Sequence, residues 1–172
     1  VLSLEELIDQ AALIVEASVQ SAAPGLARPP ASPVGGSLDV RPVPLVVETD
    51  ARLVAERVLK GALAAPEFAV SQLDAKGVYT LGPGRRFILF LVDEPARRRK
   101  MLPALGRVPR YATTGGYAGL FCVDGAQVKV SGASMLSEQY NDAPLDKTVA
   151  AIRAYVNARH GVKVTGWVTG PT

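Results

Sequence analysis

The spacing of hydrophobic positions changes character along this chain, and each change marks an element. Ser3 followed by Glu6 has the form of a capping box. Leu4, Leu7, Ile8 and Ala11 then recur at helical spacing, so a short helix is predicted at the start. From Leu13 the period drops to two. Leu13, Val15, Ala17 and Val19 fall on one face and Ile14, Glu16, Ser18 and Gln20 on the other, which is the pattern of a strand. Further strand-like runs cover residues 46–59, closing on "VLKG", then 67–73 and 86–92. Helical spacing returns at Val149, Ile152, Tyr155 and Val156, behind an Asp146 suited to the N-cap. Arg159 and His160 occupy the last turn of that helix, and Gly161 stands at its stop position.

Two stretches need a closer reading. "RFILFLVDEPARRRK" sets the apolar run Phe87–Val92 close to four consecutive cations. A spanning helix needs about 20 apolar residues, so this run is too short to cross a membrane. Entered through Gly82-Pro83-Gly84 and stopped by Pro95, it reads as a buried strand leaving into a solvated loop. In "GGYAGLFCVDGAQVKV", Asp124-Gly125 between alternating runs signals a hairpin. As a two-residue turn it puts Phe121, Val123, Ala126 and Val128 on the core face, and Leu120, Cys122, Gln127 and Lys129 on the other.

Residues 23–45 break every rhythm. Pro24, Pro29, Pro30, Pro33, Pro42 and Pro44 exclude a regular helix or central strand, and the composition predicts a mobile loop. Strands that follow one another without intervening helices argue for an antiparallel sheet or small barrel. The remaining "VKVTGWVTGPT" reads as an added edge strand or a tail.

Several of these pieces resemble a known pattern. "LIDQAALIVEASV" is similar to the "ADLIVEGTV" opening of a group of uncharacterised, mostly exported bacterial proteins. "AERVLKG", "RFILFLV" and "GGYAGLFCVDGAQVKV" resemble that group's later strands in the same order. The resemblance covers roughly residues 4–130 and implies a netrin-like, tissue-inhibitor-of-metalloproteinase-like OB barrel. The implied fold is therefore mainly β: an antiparallel OB-like barrel of five to six strands with an N-terminal and a C-terminal helix. It forms one domain over residues 1–160, with the Pro-rich insertion at 23–45 and residues 161–172 outside it. Metalloproteinase inhibition of that type uses an N-terminal cysteine, whereas this chain opens Val1-Leu2. No inhibitory residue carries over.

Composition narrows the chemistry. With 172 residues, 48% hydrophobic and 20% charged, the chain has the make-up of a globular domain. A net charge of +3 is too mild to imply nucleic acid by itself. One His and one Cys match no zinc spacing, and His160 is the only imidazole a triad could use. Cys122 beside Phe121 reads as a packed, inert thiol. Asp93 and Glu94 point to opposite faces of a strand, while Glu138, Asp142 and Asp146 suit a loop and a helix start. "GPGRR" and "TTGGYAG" match no phosphate loop. No catalytic, metal or cofactor site is therefore expected.

The basic segment is the one candidate site. Arg85, Arg86, Arg97, Arg98, Arg99, Lys100, Arg107 and Arg110 face two acids there, a local excess of +6, with Tyr111 and Tyr117 nearby. OB barrels bind single strands with such charge and exposed aromatics, which gives a nucleic-acid-binding alternative. The primary expectation is a non-catalytic, exported binding module whose partner is a protein or an anionic envelope component. Nucleic acid is not the expected partner, and no transmembrane segment is expected. Val1 stands where a Met would start a gene product, which a removed signal peptide or a plain domain excision would each explain. With the resemblance to exported proteins, an upstream export signal and an extracytoplasmic location are expected.

Overall fold

The computed structural model describes residues 2–28, 46–73, 79–94, 108–131 and 135–160. In chain order the elements are α1 (Leu4–Gln10), β1 (Leu13–Arg28), β2 (Val46–Lys60), β3 (Glu67–Leu73), β4 (Arg86–Asp93) and β5 (Arg110–Thr113). A 3-10 turn at Gly116–Gly119 follows, then β6 (Leu120–Asp124), β7 (Gln127–Val130), α2 (Met135–Tyr140) and α3 (Leu145–His160). The Ser3 hydroxyl accepts from the Glu6 N–H at 3.1 Å, so α1 begins where the capping box places it.

β1 pairs with β2 along one edge and with β4, from Leu13↔Leu91 to Ser18↔Arg86, along the other. β3 joins β2, and β5 lies between β3 and β4, closing the ring β1–β2–β3–β5–β4–β1. The protein is thus mainly β, a closed barrel of five strands with a helix at each end of the chain. A wholly antiparallel barrel was expected, yet β3 and β5 run parallel at Ala69↔Arg110 and Val70↔Tyr111. The reason is parity: strands that alternate in direction cannot close a ring of odd number, so one seam must be parallel. The β6–β7 hairpin sits outside the ring, with β6 on the half of β4 that β5 leaves free, from Arg86↔Val123 to Leu89↔Leu120.

Alternation along the strands serves two cores. Leu13, Val15, Ala17 and Val19 fill the barrel with Leu53, Phe68, Val70, Phe87, Leu89 and Leu91. Ile14, Ile88, Phe90 and Phe121 point outwards, where Leu7 and Ile8 of α1 and Val149, Ile152 and Val156 of α3 cover them. The run Phe87–Leu91 is continuously buried because both of its faces are covered. Burying each such side chain contributes about 1.5–3 kcal/mol.

Other departures have local causes. β1 continues through Pro24 to Arg28, so the Pro-rich segment opens as strand rather than loop. A register shift between Pro24 and Ala27 accommodates the proline, which has no N–H to give the ladder. The rest of that segment, residues 29–45, lies outside the described residues, as does the expected tail at 161–172. The hairpin turns one residue later than expected: Asp124 pairs with Gln127, Gly125 takes φ 59°, and Ala126 is exposed. Val130 then stands opposite Phe121. Asp146 lies in the first turn of α3 rather than at its cap, where its charge still favours the helix.

The open edge of β7 is covered by its own chain. Val128 N–H donates to Ala143 O at 2.9 Å, Leu145 N–H to Ala126 O at 2.8 Å, and Val130 N–H to the Asn141 side chain at 3.1 Å. Such cover removes a template for edge-to-edge pairing.

A cationic cleft at the start of the fourth strand

The structure brings together some of the sequence-derived candidates and separates others. Arg85 and Arg86 stand at the start of β4, whereas Tyr111 pairs with Asp93 at its far end. A strand of this length puts about 23 Å between those ends. Arg97, Arg98, Arg99, Lys100 and Arg107 lie outside the described residues.

At the far end the groups are engaged with the protein itself. Arg110 donates both terminal nitrogens to the Asp50 carboxylate at 2.9 Å, and one of them also reaches the Ser71 hydroxyl at 3.4 Å. The two charged side chains are only 9% and 4% exposed. Tyr111 is half-buried, edge-on to Phe68 with ring centroids 6.0 Å apart. Burial raises its phenol pKa, and the Asp93 charge adds to the rise. Tyr117 is half-buried in the 3-10 turn. Arg110 and Tyr111 therefore hold the barrel wall rather than forming an open stacking platform.

The near end is different. An open cleft of about 350 Å³ lies where the Gly84 turn, the start of β4 and the β6–β7 hairpin meet. Tyr79, Arg85, Arg86 and Lys129 line it with Cys122, Val123 and Asp124. β4–β6 pairing creates this arrangement, since Arg86 is opposite Val123 and Phe87 opposite Cys122.

Three cations line the cleft, and two are tethered, Arg86 with its head group on the opposite face of the sheet from Cys122 and Lys129. Arg86 donates to Glu56 through Nε at 3.1 Å and Nη2 at 2.6 Å, and Nη2 also reaches Glu16 at 2.7 Å. Glu16, 1% exposed, accepts from Arg57 as well. A buried carboxylate shared by two guanidiniums holds the Arg86 head group against the barrel wall. Lys129 is bonded to Asp142, and this hydrogen bond is the main reason its pKa is raised. Arg85 is exposed and, among the described residues, has no ion-pair partner.

Cys122 lies at the base of the cleft. Burial pushes its thiol pKa up, Arg85 opposes the rise, and Asp124 reinforces it. The protonated thiol is a weak nucleophile. Asp93 is exposed and Glu94 buried, so these neighbouring carboxylates do face apart. Among the described residues no group of three or more His, Cys, Asp or Glu side chains could hold a metal ion. No helix among them is long and apolar enough to cross a membrane.

Sequence reasoning missed Tyr79, Asp124 and Lys129 as cleft residues. A partial signal existed, because the hairpin pattern had already put Cys122 and Lys129 on one face. No protein family, curated protein or solved structure matches this chain.

Proposed function

We propose that this chain is a non-catalytic, exported binding module that takes its ligand in the cleft at the start of β4. The single observation carrying this reading is Arg85, an exposed guanidinium with no ion-pair partner among the described residues, in a cleft of about 350 Å³ that Lys129 also lines. That volume falls in the small-molecule range. The ionisable groups there are cations, one aspartate, the Tyr79 phenol and a protonated thiol, a set suited to orienting a ligand. We further infer that the barrel is an OB barrel, since its ring of five strands is a small closed sheet of the kind that fold uses. Netrin-like kinship and an extracytoplasmic location belong to the same proposal and rest on the sequence resemblance alone.

A second reading has one observation in its favour. The connection between β4 and β5 carries Arg97, Arg98, Arg99, Lys100 and Arg107, and OB barrels use that connection to bind oligonucleotides. Two assays separate the readings. In a thermal-shift screen of small molecules, the cleft reading expects a ligand that stabilises the native chain and fails to stabilise Arg85→Glu. Fluorescence-anisotropy titration with short single-stranded DNA and RNA tests the rival. Tight binding that collapses as salt rises would overturn the cleft reading in favour of nucleic acid.

A further inference from the structure

The cleft holds one cation and one anion that enter no ion pair among the described residues. Arg86 is balanced by Glu16 and Glu56, and Lys129 by Asp142. Arg85 and Asp124 are both exposed, and among the described residues neither enters an ion pair. They are the next residues beyond the pair Arg86↔Val123, and both line the cleft. The Cys122 sulfur between them responds to both, drawn down by Arg85 and pushed up by Asp124.

We propose that the cleft binds a small zwitterion of the α-amino-acid class. Its carboxylate sits on the Arg85 guanidinium, its ammonium on the Asp124 carboxylate, and its side chain over Tyr79. This assignment rests on the cleft being the binding site, and it supplies the ligand class. Charge balance argues for it. Arg86 is offset by Glu16 and Glu56 and Lys129 by Asp142, so the charges left over in the cleft are Arg85 and Asp124, one of each sign. A dipolar ligand aligned against that pair gains at both ends. The planar fork of Arg85 suits a carboxylate, and Asp124 accepts the N–H bonds of an ammonium. An ion pair between two exposed side chains of this kind would be weak, so a ligand engaging both loses little by keeping them apart. The cleft volume, near the lower end for small-molecule sites, fits a ligand of this size.

The test is calorimetric titration of the full chain with leucine, N-acetylleucine and leucinamide. Leucine is expected to bind, and each capped analogue to bind roughly tenfold more weakly, the usual effect of losing one charged hydrogen bond. Asp124→Asn should bring leucine down to the affinity of N-acetylleucine while leaving N-acetylleucine unchanged. Arg85→Gln should do the same with respect to leucinamide. Both residues are exposed, so these variants are expected to fold, and circular dichroism checks that they do. N-acetylleucine binding as tightly as leucine would overturn the proposal and leave a plain anion site. Failure of leucine and every other common amino acid to bind at millimolar concentration would also overturn it. In that case a different small molecule whose stabilising effect is lost in Arg85→Glu would still uphold the binding-module reading.

Discussion

Removing either member of the Asp50–Arg110 pair should weaken the barrel at its parallel seam. β3 and β5 share only the register pairs Ala69↔Arg110 and Val70↔Tyr111, so backbone pairing there is short. The Arg110 side chain spans the seam, reaching over Ser71 on β3 to Asp50 on β2 through two bonds of 2.9 Å. With the side chains 9% and 4% exposed, solvent screens the pair little. Truncating one member leaves the other charge buried, at a cost of about 3–5 kcal/mol. Truncating both removes that penalty, so Asp50→Ala combined with Arg110→Ala should cost less than the sum of the single changes. The expected coupling is about 2 kcal/mol. Domains of ordinary size have a total stability of about 5–15 kcal/mol, so each single variant should also melt roughly 10 °C earlier. Urea denaturation of the native chain, both single variants and the double variant, followed by circular dichroism, supplies the cycle. The denaturant slope must stay constant across the set for the comparison to hold. A coupling below about 0.5 kcal/mol, the range of exposed pairs, would refute the argument and release Arg110 as a ligand-binding residue.

Two further outcomes follow from local geometry and burial. Gly61 takes φ 82°, and a Cβ there would lie 2.4 Å from the Ala12 carbonyl oxygen, a backbone atom with no room to yield. Gly61→Ala should therefore destabilise by about 2 kcal/mol or more, and an unchanged thermal midpoint would contradict that. Because the Cys122 thiol pKa is raised in the fold, its contribution to stability is complete below the unfolded value of about 8.5 and is lost as pH rises through the folded value. The urea midpoint should thus fall in alkaline solution, and Cys122→Ala should flatten that fall. Parallel curves for the two proteins would show the thiol contributes nothing.

What the sequence revealed follows from which interactions are local. The α1 cap, β3 at Glu67–Leu73 and the apolar stripe of α3 were legible because spacing and capping lie within a few residues of one another. β1 past Ala22 was hidden because Pro24 normally marks a break, and only its bulged pairing with β2 makes a strand possible there. β5 has four residues, all half-buried, too few to show a period. The site was legible in part. Charge density singled out Arg85 and Arg86 but could not show that Asp50 engages Arg110 or that Glu16 holds Arg86, since those contacts span 60 and 70 residues of chain. Lys129 and Asp124 reach the cleft only through the pairing of β6 with β4, which no local pattern encodes.

The location of the binding surface can be read residue by residue. In a nitrogen-15 NMR titration of the full chain, leucine is expected to move the amide resonances of Tyr79, Arg85, Val123 and Asp124 and to leave Arg110 and Tyr111 in place. A parallel titration with a short single-stranded oligonucleotide is expected to move none of them strongly at physiological salt. Silence at the cleft, with salt-dependent shifts at Arg110–Thr113 on adding the oligonucleotide, would contradict the account and place the ligand on the basic segment instead.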